Sequence, residues 1–123
     1  MSRGLIELLG INVLEVDDGT CSIDMEITSD ALQPFGFVHG GINAVLAETA
    51  ASIGASHQIE DNQIAFGMEL NINHLKAKRQ GTLIAKAVLR HAGKSSQVWE
   101  IDITDDADDL VAVSRCTMAV RQK

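Results

Sequence analysis

Residues 40–57 read Gly-Gly-Ile-Asn-Ala-Val-Leu-Ala-Glu-Thr-Ala-Ala-Ser-Ile-Gly-Ala-Ser-His, a segment of helical length without proline. Its apolar or small residues Ile42, Ala44, Val45, Leu46, Ala47, Ala50, Ala51, Ile53, Gly54 and Ala55 cover nearly the whole circumference. A helix that is apolar all round belongs in an interior. The chain on either side of it alternates with a period of two. Upstream, Cys21, Ile23, Met25 and Ile27 share one face of a strand over 20–28, opposite Ser22, Asp24 and Glu26. This is the pattern of a half-buried antiparallel strand. Downstream, Phe66, Met68, Leu70 and Ile72 are expected on one face, and Leu83, Ala85, Ala87 and Leu89 on the next. Val98 breaks phase before Trp99, Ile101 and Ile103, and Leu110, Ala112, Ser114, Cys116, Met118 and Val120 line a final strand.

The ends and joints complete the order. Ser2 caps a short predicted helix through Leu5, Ile6, Leu8 and Leu9 that stops at Gly10, and a strand follows over 11–17. Asp17-Asp18-Gly19 is a turn, 29–39 is a loop holding the only proline, Pro34, and Asp105–Asp109 is an acidic hairpin turn without the spacing of a calcium loop. The order is short helix, two strands, long helix, four strands. It predicts a single α+β domain over 1–123, an antiparallel sheet wrapped around one buried helix.

Composition excludes several classes of function. A net charge of −7, no Tyr, one Trp and three Phe leave neither the basic footprint nor the stacking aromatics of a nucleic-acid binder. The same balance disfavours an anionic membrane surface, and no stretch is long and apolar enough to span a bilayer. Glu7 interrupts any signal-peptide core, so the expected compartment is the cytoplasm. Cys21 and Cys116 fall within alternating apolar runs and read as buried strand thiols rather than a disulfide or metal ligands. The four histidines, His39, His57, His74 and His91, also lack ligand spacing, and no metal is expected. The charge is unevenly placed. Residues 1–75 hold 11 acids and one base, whereas Lys76 to Lys94 holds six bases and no acid.

Glu48 breaks the pattern of the long helix. An unpaired carboxylate is costly to bury, and no Lys or Arg lies within a turn of it. Either it reaches solvent or a loop through a gap, or it is a catalytic carboxylate, with Ser52 one turn on along the same face. The helix is preceded by His39 and begins Gly40-Gly41. The glycines form either a plain helix start or an open N-terminus whose free N–H groups polarise a carbonyl as an oxyanion hole. Gly40 and Glu48 are eight residues apart, roughly 12 Å along a helix, so one carbonyl cannot touch both. If both act on one substrate, they come from different chains of a symmetric oligomer.

Gln33-Pro34-Phe35-Gly36-Phe37-Val38-His39-Gly40-Gly41, Leu46-Ala47-Glu48-Thr49 and Ser52 resemble the hotdog-fold acyl-CoA thioesterases of the PaaI-like superfamily. Glu69-Leu70-Asn71-Ile72-Asn73-His74-Leu75, Gly81 and Ser96-Gln97-Val98-Trp99-Glu100-Ile101 extend the resemblance over essentially the whole chain. The nearest branch is that of the 1,4-dihydroxy-2-naphthoyl-CoA hydrolases of menaquinone or phylloquinone synthesis and the related aryl-carrier proofreading thioesterase. The resemblance implies a hotdog fold assembled as a dimer of dimers, hydrolysing small aromatic or medium-chain acyl-CoA thioesters. It needs no cofactor beyond the coenzyme A of the substrate. By position, Glu48 is the implied general base or nucleophile and Gly40 N–H the implied carbonyl donor, with Gly41 beside it. Gln33 and His39 are implied to position the thioester and the attacking water, and Ser52 to assist near the leaving group or water. The phosphates of coenzyme A give the basic span a role, with Lys76, Lys78, Arg79, Arg90, Lys94, Ser95 and Ser96 as candidates, and His74 as a candidate lining the channel. Two other readings use the same residues. One is proofreading of misacylated carrier protein, and the other is an acyl-CoA-binding module without catalysis.

Overall fold

The computed structural model describes residues 4–123. Its elements are α1 (Leu5–Leu9), β1 (Asn12–Asp17), β2 (Thr20–Glu26), a single 3-10 turn (Ser29–Ala31), α2 (Gly40–His57), β3 (Gln63–His74), β4 (Thr82–Ala92), β5 (Ser96–Asp105) and β6 (Leu110–Gln122). The six strands form one sheet in the order β1-β2-β4-β5-β6-β3, antiparallel throughout. The chain leaves β2, lays α2 across the sheet and runs β3 along the far edge. α2 touches all six strands.

The buried stripe of α2 is Asn43, Leu46, Ala47, Ala50, Ala51, Gly54 and Ala55, a run of three- and four-residue steps. It packs on alternate residues of the central strands, including Ile23, Met25, Ala85, Trp99, Ile101 and Met118, all at most 1% exposed. The small side chains of the stripe let helix and sheet approach closely. Trp99 fills the space over Gly54, and its indole N–H donates to the buried Gln97 Oε1 at 2.8 Å. Cys21 and Cys116 are free and buried on β2 and β6.

The opposite stripe of α2 lacks such cover. Ala44, Val45, Glu48, Thr49, Ser52 and Ile53 face a cavity bounded on one side by Leu5 and Ile6 of α1. The helix is therefore apolar all round but covered on only part of its circumference by its own chain.

Three details differ from the sequence reading. A bulge in β3 pairs Gly67 with Met118 and Glu69 with Thr117, leaving Met68 as the extra residue. The side-chain phase inverts there. Phe66 and Met68 are 48% and 60% exposed, while Leu70 and Ile72 pack on the core, so the four do not share a face. Gly4 occupies the cap position of α1 without a side-chain bond, and the expected cap, Ser2, lies outside the described residues. Strand β2 stops at Glu26, beyond which the Ile27 N–H donates to the carbonyl of Gly81.

The acidic turn holds an ion cluster around one buried carboxylate. Asp105 continues the inward phase of Trp99, Ile101 and Ile103, and its side chain is shut from solvent. Its Oδ2 accepts from Lys76 Nζ at 2.8 Å and Lys78 Nζ at 3.0 Å, and its Oδ1 from the N–H groups of Ala107 and Asp109. The Lys76 ammonium, then the Asp109 N–H and Lys78, hold the Asp105 carboxyl far below the usual carboxylate range. Bonds to Asp105 and Asp109 push Lys76 above the usual lysine range.

The sign of the linkage follows. A depressed carboxyl stabilises the fold above its ordinary value of 3.8 and loses that contribution as pH falls below it. A raised lysine stabilises the fold below 10.5 and loses that contribution as pH rises above it. Asp105→Asn is expected to melt at a lower temperature than wild type at pH 7, by at least about 5 °C. The gap should narrow as both are acidified below pH 3.8; a gap that persists there contradicts the assignment.

Candidate functional site

The loop over 33–39 is tied down before it delivers the start of α2. Gln33 Oε1 accepts the N–H groups of Phe35 and Phe37, Val38 N–H donates to the carbonyl of Lys78, and His39 N–H to that of Ala31. The Arg79 guanidinium lies 4.1 Å from the centre of the Phe37 ring and clamps the loop from outside. His39 is the N-cap: its Nδ1 accepts the Gly41 N–H at 2.8 Å and its carbonyl the Ile42 N–H at 2.9 Å. The Gly40 N–H has no acceptor among the described residues. The first helical donor is thus left open, with partial positive charge behind it.

Gly40 has to be small. A Cβ there would lie 2.9 Å from Nε2 of His74, the last residue of β3. His74 Nδ1 is in turn 3.2 Å from Asn43 Nδ2. Gln33, Gly40, Asn43, His74, Lys76 and Lys78 help line one cavity of about 380 Å³. This volume is within the range of small-molecule sites.

Glu48 faces the other cavity, of similar volume, with Thr49 and Ser52. The carboxylate is exposed and makes no hydrogen bond or ion pair among the described residues. It rests on Gly67 of β3, where a Cβ would stand 2.6 Å from Oε2. Burial, followed by the charges of Glu48 and Glu69, pushes the Cys116 thiol up to about 11, so Cys116 stays protonated and is no rival nucleophile. Gly67→Ala would have to move the Glu48 carboxylate. Because the obstacle is the tip of a flexible side chain, the expected result is a Tm within about 2 °C of wild type with turnover down about tenfold. A large fall in Tm with unchanged turnover would contradict that placement.

The lining of the two cavities shares no residue. Gln33, Gly40 and His74 line one and Glu48 and Ser52 the other, whereas His39 and Gly41 line neither, His39 Nδ1 being engaged in capping α2. The basic candidates are dispersed. Lys76 and Lys78 are bonded to the aspartates of the β5–β6 turn, and Arg90 pairs with Glu100 at 3.2 Å on the outer face of the sheet. The carbonyl of Ser95 accepts from Val120 N–H and Arg121, and Ser96 opens β5. Lys94, exposed in the β4–β5 turn, has no ion-pair partner among the described residues. None of Arg90, Lys94, Ser95 and Ser96 lines either cavity. His57 lies 3.8 Å from the exposed Asp18, away from both. Asn43 and Gly67 were not singled out in the sequence; the signal for Asn43 was its phase with Leu46, Ala47 and Ala50.

Residues 35–112 match the family model described as the thioesterase superfamily. The chain belongs to this family. It is 50% identical over 120 residues to the 1,4-dihydroxy-2-naphthoyl-CoA hydrolase of Listeria monocytogenes, covering 98% of each chain. It is 35% identical to a proofreading thioesterase of Cronobacter turicensis, over 94% of this chain and 85% of that one. A solved thioesterase of Staphylococcus aureus superposes with a TM-score of 0.93 at 36% identity, covering 95% of this chain and 98% of that one. The protein is a hotdog-fold enzyme, a thioester hydrolase. Among the described residues, no group of three or more His, Cys, Asp or Glu side chains is placed to hold a metal ion, and no helix is long and apolar enough to cross a membrane.

Proposed function

We propose that the protein hydrolyses acyl-CoA thioesters in a site shared between two copies, with Glu48 of one copy facing Gln33, His39 and Gly40 of the other. The observation that carries this reading is that Gln33 and Gly40 line one cavity of the chain and Glu48 another, together with the partly covered stripe of α2 that Glu48 shares. A second copy would cover Leu5, Ile6, Val45 and Ile53 and bring the missing half. Closed two-fold symmetry then makes two equal sites, and a dimer of dimers extends the same logic.

The chemistry suits these parts. The thioester carbonyl binds at the open Gly40 N–H, which stabilises the oxyanion as it forms. Glu48, without a hydrogen bond among the described residues, takes a proton from water or attacks the carbonyl itself. The leaving thiolate has a pKa near that of free Cys, about 8.5, and needs little acid assistance. Label from ¹⁸O-water found in the Glu48 carboxylate after a single turnover identifies attack by Glu48 with water entering at its carbonyl carbon; water entering at the acyl carbon puts the label in the product acid by either route.

The acyl group we favour is an aromatic one of the 1,4-dihydroxy-2-naphthoyl kind, on the strength of the 50% identical relative. The free, buried cysteines fit a reducing compartment, which we take to be the cytoplasm. Among the described residues Lys94 has neither the carboxylate partner of Lys76, Lys78 and Arg90 nor the ring contact of Arg79 to give up, and it is the favoured phosphate contact. The test is a panel of aryl and alkyl thioesters, each offered on CoA and on a carrier protein. Faster cleavage on CoA supports the reading, faster cleavage on the carrier favours the proofreading role, and no cleavage of any thioester overturns both.

A further inference from the structure

Asn43 is only 4% exposed, yet it belongs to no structural polar network. Its Nδ2 meets His74 Nδ1 at 3.2 Å, and its Oδ1 is buried without a partner. Every other residue of the buried stripe of α2 is apolar or glycine. A leucine or alanine at this position would continue the stripe and leave no orphaned oxygen. A buried amide that satisfies only one of its groups is destabilising, so its one bond, to His74, is the feature that needs a reason.

We propose that Asn43 is a positioning residue that acts through His74. A neutral imidazole carries its proton on one nitrogen, and the bond at the other decides which. Nδ2–H donating to Nδ1 leaves the proton on Nε2. Nε2 lies against Gly40, 2.9 Å from where a Cβ would be, at the cavity that also holds Gln33. Asn43 therefore turns His74 into a fixed donor beside the open Gly40 N–H. A carbonyl bound there meets two N–H groups, one from backbone and one from the ring. The assignment rests on the proposed thioester reaction for its consequence, but not for its first measurement.

That measurement is the tautomer of His74 in the ligand-free protein, read from ring ¹⁵N–¹H correlations at about pH 8.5, above the ordinary imidazole range. The His74 signals are assigned by their loss in His74→Ala. Wild type is expected to show the Nε2–H form. Asn43→Asp, which offers an acceptor in the same place, is expected to move the proton to Nδ1. Asn43→Leu, which keeps the branched shape without burying a carboxylate, is expected to free the ring and broaden its signals. In turnover, each variant is expected to lower kcat/KM about tenfold, the scale of one hydrogen bond. Neither is expected to lower it further when His74 is already Ala. An Nδ1–H ring in wild type, or Asn43 and His74 effects that multiply in the double variants, overturns the proposal. Because the tautomer is read without substrate, failure of wild type to cleave thioesters would count against the proposed function and leave this assignment to the ring spectra.

Discussion

Glu48→Gln is expected to lower kcat for thioester hydrolysis at least about a hundredfold, with KM and Tm close to wild type. The substitution removes charge and basicity but keeps shape, so the contact with Gly67 survives. The side chain is exposed and gives up no hydrogen bond or ion pair among the described residues, so stability should change by less than about 0.5 kcal/mol. A general base contributes about 10²–10⁴-fold. An amide can neither accept the proton from water nor attack a thioester usefully, so the loss belongs to both routes open to Glu48. The check is steady-state kinetics beside a thermal melt. Unchanged kcat would remove Glu48 from the chemistry; a Tm lowered by many degrees would mean that the residue is structural.

Gly54→Ala is expected to give the largest loss of stability among single-methyl additions to α2. A Cβ at Gly54 would stand 2.6 Å from Cη2, 2.9 Å from Cζ3 and 3.2 Å from Cζ2 of Trp99. The obstacle is a ring rather than a flexible tip. Trp99 is 0% exposed, its N–H is bonded to Gln97, and β4 and β6 flank its strand. It cannot swing aside without opening the core. Overpacking of this kind costs about 1–3 kcal/mol, and more where nothing gives. Ala gains roughly 1 kcal/mol over Gly in helix propensity. At 2.6 Å the clash wins, and the net loss is about 2 kcal/mol, or roughly 8 °C in Tm. A Tm equal to or above wild type would show that helix and sheet can separate at this point.

The contrast between Gly54 and Gly67 shows what the sequence could and could not convey. The frame was legible. Residues 40–57 form the expected helix to the residue, and the alternation in β2, β4 and β5 put Ile23, Ala85 and Trp99 inward as read. Glu48 stood out because it broke a one-dimensional pattern. What stayed hidden depends on pairing across the sheet. The β3 bulge is set by how Gly67–Glu69 meets Thr117 and Met118 on β6; the lone Gly67 inside the strand is a local sign of a bulge but does not fix the pairing. The run from Lys76 to Lys94 is free of acids in sequence but not in space, because the β5–β6 turn brings Asp105 and Asp109 onto Lys76. Asp105 and Asn43 gave a clue of the same kind: each falls in phase with an inward stripe, where a polar residue must find a partner.

Mixing two disabled chains tests the shared site. One carries Glu48→Gln. The other carries Gln33→Ala and His39→Asn, in which Asn retains a capping acceptor for α2. The chains are separately tagged, dissociated, mixed in equal amounts and reassembled. A site that draws its halves from two copies is restored at one of the two positions in each hybrid pair, so random reassembly should return about one quarter of wild-type activity. Doubly tagged assemblies with no activity above the two parents would show that both halves must lie on one chain, and would contradict the account.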